Sequence, residues 1–356
     1  MPTLTIHEVA KVAGVSKSTV SRVINRSPRV AADVAQAVRQ AMLRVGYQPP
    51  TRRPGPKSSR RKGIHTGNVL FLVLGHSLDY GLHGYPNLLR GVENALGDNQ
   101  LKMVLASLET GGSLPVALDS GEVDGVLLFG NPQALSASAK ARLREIPAVC
   151  LMRGMEEFRG QLDRVSYNNA AVGPMAARYL AGRGHQRVGF YHIDPTHTAV
   201  IPRQRDFTRV AEELGMEVVT LAGQEPPAGL QQEIEAHRLL AERIKATNPS
   251  LTGLFIPGDY WAPYAYQAMA SCGLGAGRDI DIISCDNVPL FLDQLDPRPA
   301  TIDINLPLVG ATGVRQLMWR MANPALRNTV ELLIEPVLVE GACPAPNAGR
   351  SAASAL

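Results

Sequence analysis

The sequence predicts a multidomain chain: a small all-α head followed by a larger body of two α/β lobes. Three observations predict it. Residues 6–45 show helical periodicity interrupted by a glycine turn. The charge changes sign along the chain, with thirteen Lys or Arg against two acids in residues 1–62 (+11) and 23 against 30 in the remainder (−7). From residue 68 onward, apolar runs of strand length alternate with amphipathic stretches of helix length. With 356 residues, 45% of them hydrophobic, the chain has material for more than one core. The divisions expected are a head over 1–48, a basic Pro-rich linker over 49–66, the two-lobed body over 67–343 and a disordered tail over 344–356.

The head opens on Thr5-Ile6-His7-Glu8, a capping box in which the Thr hydroxyl and Glu carboxylate satisfy amides left free at a helix start. A first helix over 6–13 follows. Gly14 supplies the permissive backbone of a tight turn, and Ala10 is small where a second helix would cross closely. Ser16 then caps a second helix whose Val20 and Val23 or Ile24 face Val9 and Val15. A third helix, about 32–45, carries Val34, Val38, Met42 and Val45 on one stripe, and Gly46 stops it. Helix, glycine turn, helix is a helix-turn-helix.

In such a motif the start of the second helix enters the major groove. Lys17 and Arg22 can donate to guanine O6 and N7, and Ser18 can bond either kind of edge. Thr5, Thr19, Asn25 and Arg29 are placed for phosphates, with Ser16 beside them at the helix start. The stretches TIHEVAKVAGVSKSTVSRVIN, SPRV and VGYQP resemble, in identity and spacing, the DNA-binding head of the LacI family of bacterial transcription regulators.

The body begins with NVLFLVL (68–74), an apolar run suited to a parallel strand buried on both faces. A helix over 86–96 and strands over 102–107, 125–129 and 148–152 follow it. The second series runs through a helix near 173–181, a strand over 187–193, a helix near 203–214, a strand near 218 and a helix near 231–246. It ends with strands over 253–256 and 281–284. Two consecutive doubly wound lobes are expected, with ligands at the carboxyl ends of the strands and in the cleft between lobes.

The motifs VDGVLLFG (123–130), GHQRVGFYH (184–192), Arg203-x-x-x-Phe207, GDYWA (258–262) and SCDN (284–287) are similar to the sensor of that family, which is periplasmic-binding-protein-like. The resemblance implies effector contacts at Arg203, Asp259 and Asp286, and at Asn168, matched to the position after the third lobe-one strand that is often Asp. Tyr85 stands near an expected aromatic, and Trp261 or Tyr260 could replace a missing stacking ring or, equally, serve core packing. Carboxylates and a guanidinium suit a polyol or nucleoside-like ligand. The other reading is that Asp259 and Asp286 merely cap the helices that follow their strands, and that Arg203 serves a surface ion pair. Gly258 departs from the family's usual Asn.

The linker PPTRRPGPKSSRRKG (49–63) lies where the family carries a hinge helix with a Leu that wedges into the minor groove. It has no Leu, and Pro54 and Pro56 oppose a regular helix. Six cations, Arg52 and Arg53 among them, suit phosphate contact or minor-groove insertion, with a plain spacer as the other reading.

Other classes are disfavoured. Cys150, Cys272, Cys285 and Cys343 are far apart and read as reduced thiols. His192, Asp194 and His197 have ligand-like chemistry but no further partner, so neither metal nor other cofactor is expected. No dinucleotide fingerprint, phosphate-binding loop or nucleophile elbow marks an enzyme. No apolar run approaches the roughly 18 residues that span a bilayer, and no signal segment precedes the head. The expectation is a cytoplasmic, nucleoid-associated repressor: a homodimer on a near-palindromic operator, controlled by a carbohydrate-like effector. A constitutive DNA binder with a ligand-free body is the alternative.

Overall fold

The computed structural model describes residues 5–24, 30–47, 63–75, 86–109, 112–152, 156–227, 229–247 and 250–342. The chain divides into two compact units, 1–60 and 61–356.

The first unit holds three helices, α1 (Ile6–Ala13), α2 (Lys17–Ile24) and α3 (Ala32–Val45). Glu8 closes the capping box by accepting the Thr5 N–H at 2.8 Å. Ser16 Oγ accepts the Thr19 N–H at 3.1 Å and so caps α2. Gly14 and Gly46 take the left-handed conformation, at φ 66° and 68°, where a side chain would add strain. Val9, Ala10, Val20, Val23, Val38 and Ala41 form the buried core, with a contribution from every helix. Met42 and Val45 pack at its margin, and Val34 is half-buried.

The second unit contains two six-stranded sheets. In lobe one β1 (Asn68–Leu74), β2 (Lys102–Leu108), β3 (Gly125–Gly130), β4 (Ala148–Leu151), β5 (Asp163–Tyr167) and β11 (Glu331–Ile334) lie in the order β11-β5-β4-β3-β1-β2. In lobe two β6 (Arg187–His192), β7 (Glu217–Ala222), β8 (Gly253–Phe255), β9 (Asp281–Cys285), β10 (Ala300–Asp303) and β12 (Val337–Val339) lie in the order β12-β10-β9-β8-β6-β7. Every pairing is parallel except β10 with β12. The apolar run of β1 behaves as its composition demands: Val69, Phe71 and Val73 face one buried cluster while Leu70, Leu72 and Leu74 face another. Each such side chain removed from water contributes about 1.5–3 kcal/mol.

The expectation of two consecutive lobes is corrected by the chain path. Helix α4 (Pro86–Asp98), α5 (Val116–Asp119) and α6 (Ala137–Glu145) belong to lobe one. Helices α7 (Asn169–Gly182), α8 (Val200–Glu213), α9 (Leu230–Ala246), α10 (Ala262–Ser271) and α11 (Pro289–Leu292) follow in the lobe-two segment. After β10 the chain returns: α12 (Leu306–Ala322) packs on α4 and on β3 to β5, β11 extends the lobe-one sheet, and β12 closes the other. The lobes are therefore joined at three crossings, near 168, 304–305 and 335–336. The strand β5 escapes the sequence pattern because its residues, DRVSY, mix charged and apolar types. Its Asp163 is nonetheless buried, accepting from Gln316 Nε2 at 2.8 Å and Arg320 Nε at 2.9 Å on α12. Buried charge of this kind is invisible to a hydrophobicity pattern.

Candidate functional site

On the head, Lys17, Ser18 and Arg22 are exposed on α2, while Val20 and Val23 hold its other side in the core. The Ser18 hydroxyl lies 2.7 Å from Ser16 Oγ, and Thr19 Oγ1 lies 2.9 Å from the same atom. Three hydroxyls thus cluster at the helix start, next to two cations. Thr5 is exposed at the start of α1. Asn25, Arg29, Arg52 and Arg53 lie outside the described residues, as does Tyr85 of the body.

In the body the carboxyl ends of β5, β8, β9 and β10 converge, and Arg203 stands among them. It sits in α8, which crosses α7 where Gly173 has no side chain: a Cβ there would meet Arg203 O at 2.4 Å and Phe207 N at 2.6 Å. That close crossing fixes the turn that carries the guanidinium. Arg203 is 3% exposed. Its Nε donates to Asn169 Oδ1 at 2.8 Å, Nη1 donates to the Pro257 carbonyl, and Nη2 donates to the Tyr167 hydroxyl at 2.9 Å and to Asp286 Oδ1 at 3.5 Å. The guanidinium also lies over the Tyr167 ring, 5.5 Å from its centroid. Arg203 therefore belongs to a buried network joining lobe one, through Tyr167, to lobe two; the surface ion pair weighed in the sequence is corrected by its burial.

The two acids divide. Asp259 is fully buried and spends its oxygens within its own lobe: Oδ1 accepts from Ser284 Oγ at 2.6 Å and Thr301 Oγ1 at 3.0 Å, and Oδ2 accepts the Val288 N–H at 2.8 Å. Burial, reinforced by the nearby Asp286 charge, pushes its carboxyl well above the usual range, while those three donors oppose the shift. This arrangement ties the ends of three strands together. Asp286, by contrast, keeps 24% of its side chain exposed and takes an unusual backbone, φ 112°. It faces Gly258, where a Cβ would come within 3.8 Å of Asp286 Oδ2 and 3.3 Å of the Trp261 ring.

Trp261 is buried and lies edge-on to His197, 5.7 Å between centroids. Burial lowers the pKa of His197, the Arg203 charge adding to the effect, and its Nδ1 is buried without a hydrogen-bond partner. His192 bonds to the Asp194 carbonyl at 3.0 Å, and Asp194 Oδ1 accepts the Thr196 N–H at 2.8 Å in a local turn. Among the described residues no group of three His, Cys, Asp or Glu could hold a metal ion. Cys150, Cys272 and Cys285 are free thiols, and burial pushes Cys150 up to about 12.

Asn168 follows β5, the fifth strand of lobe one in chain order, and its Nδ2 donates to Glu335 at 3.0 Å. It thus links the first and third crossings rather than meeting Arg203. The residues on either side are those that do. Tyr167 and Asn169 escape sequence reasoning because the strand that places them does; a strand ending at 167 would draw attention to both. Ser284 opens the SCDN motif without being singled out there, and Thr301 carries no sequence signal beyond its place in a strand.

Residues 5–50 match the model of the bacterial regulatory proteins of the lacI family, and residues 177–343 match that of the periplasmic binding protein-like domain. The chain is 28% identical over 295 residues to the HTH-type transcriptional repressor PurR of Serratia proteamaculans, covering 80% of this chain and 81% of that one. It is also 28% identical over 327 residues to the ribose operon repressor of Halalkalibacterium halodurans, covering 90% and 92%. Among solved structures, a CelR transcriptional regulator in complex with cellobiose shares the fold at a TM-score of 0.60 and 22% identity, covering 96% of this chain and 100% of that one. The lac repressor dimer bound to operator and the anti-inducer ONPF shares it at 0.64 and 19%, covering 96% and 99%. No helix of the described residues is long and apolar enough to cross a membrane. The chain thus joins a lacI-family head, over residues 5–50, to a periplasmic-binding-protein-like body, over residues 177–343.

Proposed function

We propose that the chain is a sequence-specific, DNA-binding transcriptional repressor of the cytoplasm, acting as a homodimer on a near-palindromic operator and controlled by a small polar effector bound between the lobes. The observation that carries this reading is the exposed Lys17, Ser18 and Arg22 face of α2, packed by its opposite side into a folded three-helix core. Relatives named as repressors support it. Lys17 and Arg22 read base edges with Ser18; Thr5, Ser16, Thr19, Asn25 and Arg29 contact the backbone of the duplex, and Arg52 and Arg53 extend that contact. It catalyses no reaction in this reading, and the organisation follows the divisions 1–48, 49–66, 67–343 and 344–356.

For the effector, Asp286 supplies an acceptor, Arg203 fixes it from behind, and Trp261 flanks it. A hydroxyl-bearing ligand of sugar or nucleoside type suits that set. Tyr85 and Asn168 complete the proposed contacts, whereas Asp259 serves the shape of the site from inside lobe two. Selection of duplexes from random DNA, followed by gel shift, tests the first half: enrichment of a two-fold symmetric sequence is expected, and no enrichment over random DNA refutes it. Thermal-shift screening of sugars, sugar phosphates and nucleosides tests the second. A constitutive regulator is the second reading, favoured by one observation: Arg203 and Asp259 spend their hydrogen bonds on the protein's own groups.

A further inference from the structure

Given the effector-binding cleft proposed above, on which this rests, we infer that His197 is a further specificity-determining residue: its Nδ1 accepts one hydroxyl or N–H of the effector, beside the oxygens that Asp286 offers. His197 comes from the motif YHIDPTH, just beyond the carboxyl end of β6. Buried polar atoms are hydrogen-bonded as a rule. His197 Nδ1 is buried and has no partner among the described residues. Its ring stands edge-on to Trp261, centroids 5.7 Å apart. The Trp261 ring lies 3.3 Å from where a Cβ of Gly258 would fall, and Asp286 Oδ2 lies 3.8 Å from that same point. Asp286 meets Arg203 at 3.5 Å, and the Arg203 charge acts on His197. The orphaned nitrogen therefore belongs to the same constellation as the carboxylate proposed to receive the effector. Other buried atoms without a partner lie elsewhere: His237 Nε2 between the rings of Tyr191 and Tyr264, and Asp281 Oδ1 beside Arg183 and His185.

The backbone holds this imidazole in place. The His197 carbonyl accepts the Val200 N–H at 2.9 Å and the Ile201 N–H at 3.2 Å, closing the first turn of α8. Upstream, Asp194 Oδ1 accepts both the N–H and the hydroxyl of Thr196, at 2.8 Å and 2.7 Å. Asn169 ties the same loop to the guanidinium: its Oδ1 accepts from Arg203 Nε at 2.8 Å, and its Nδ2 donates to the Ala199 carbonyl at 2.9 Å. A recognition group supported in this way loses little freedom when a ligand arrives. Burial, with the Arg203 charge adding to it, holds the imidazole below its ordinary range. At pH 7 it is therefore neutral, and one of its nitrogens accepts. An acceptor at His197 together with the acceptor oxygens of Asp286 selects a ligand rich in donors. Hydroxyls and ring N–H groups are donors; a phosphate at pH 7 is chiefly an acceptor.

The test uses the full chain and the compounds that bind it among sugars, sugar phosphates and nucleosides, with cellobiose, D-ribose and adenosine in the panel, titrated by calorimetry. His197→Phe keeps a ring beside Trp261 and removes both nitrogens. His197→Asn gives up the ring and returns an acceptor oxygen near the place of Nδ1. The expected result is a loss of affinity of tenfold or more in His197→Phe and of less than threefold in His197→Asn. Adenosine against D-ribose separates a base N–H from a sugar hydroxyl as the donor. The reverse order, with His197→Phe intact and His197→Asn weakened, makes the ring a packing element and overturns the inference, as do equal affinities in the two variants. Each variant is unfolded in urea without ligand, and His197→Leu replaces His197→Phe if the latter shows no cooperative transition. A panel in which nothing binds the parent overturns the effector reading and this inference together; binding to the parent that is indifferent to His197 overturns the inference alone.

Discussion

Replacing Arg203 with Leu tests whether the guanidinium is the keystone of the cleft. The substitution removes donors to Asn169, Pro257, Tyr167 and Asp286 at a residue 3% exposed. A hydrogen bond to a charged group contributes about 1.5–3 kcal/mol net, so three good ones bound the loss at about 5–9 kcal/mol. The realised cost is smaller, since Leu refills part of the volume and Asp286, left unpaired, is partly hydrated. Breaking one partner of a buried pair costs about 3–5 kcal/mol. At about 2–4 °C per kcal/mol for a body of this size, its melting transition should fall by about 10 °C. The assay is urea unfolding followed by Trp261 emission in a Trp319→Phe background, with calorimetry beside it. A double variant, Arg203→Leu with Asp286→Leu, removes the orphaned acid and should cost at least about 1 kcal/mol less than the two singles summed. A single-variant cost under about 1 kcal/mol, or strict additivity, would refute the reasoning.

Three further outcomes follow from the same structure. Lys17→Ala and Arg22→Ala should each weaken duplex binding by about 1–3 kcal/mol, and titrations against each base of the selected site should show relaxed preference at one position rather than a uniform loss. Neutralising Arg52, Arg53, Arg60 and Arg61 should lower affinity and flatten the dependence of log affinity on log salt by about 0.9 for every phosphate the chain no longer neutralises; an unchanged slope makes the segment a spacer. His237, 1% exposed between the rings of Tyr191 and Tyr264, has its pKa lowered by burial to about 4. Its folded pKa lies below the unfolded value, so the unfolded chain takes the proton first. Stability should decline as pH falls from about 6.5 toward 4, by at most about 3 kcal/mol, and urea midpoints of His237→Phe should lose that part of the slope.

How much is legible in the sequence depends on where the energy lies. In the head each local signal agrees with the global fold: a capping box, a left-handed glycine and one apolar stripe per helix all specify the same three helices. The apolar strands β1, β3 and β4 are legible for the same reason. The return of the chain to lobe one is not. Its determinants are the close seat of Gly91, Gly310 and Gly313 and the Asp163 to Arg320 pair, 157 positions apart, and neither leaves a period in the sequence.

The site divides along the same line. Arg203 and Asp286 carry motifs, and the structure brings them together; Tyr167 and Asn169 carry none, yet they hold Arg203. Family pattern names a position, whereas the network decides its role, as Asp259 illustrates: its type and place suit a ligand contact, but its three donors all come from its own lobe. Asp124 shows the same distinction: it carries a motif, VDGVLLFG, but its role is set by the amides of His65, Thr66 and Gly67 that donate to its carboxylate, 57 to 59 positions away, where the chain enters β1.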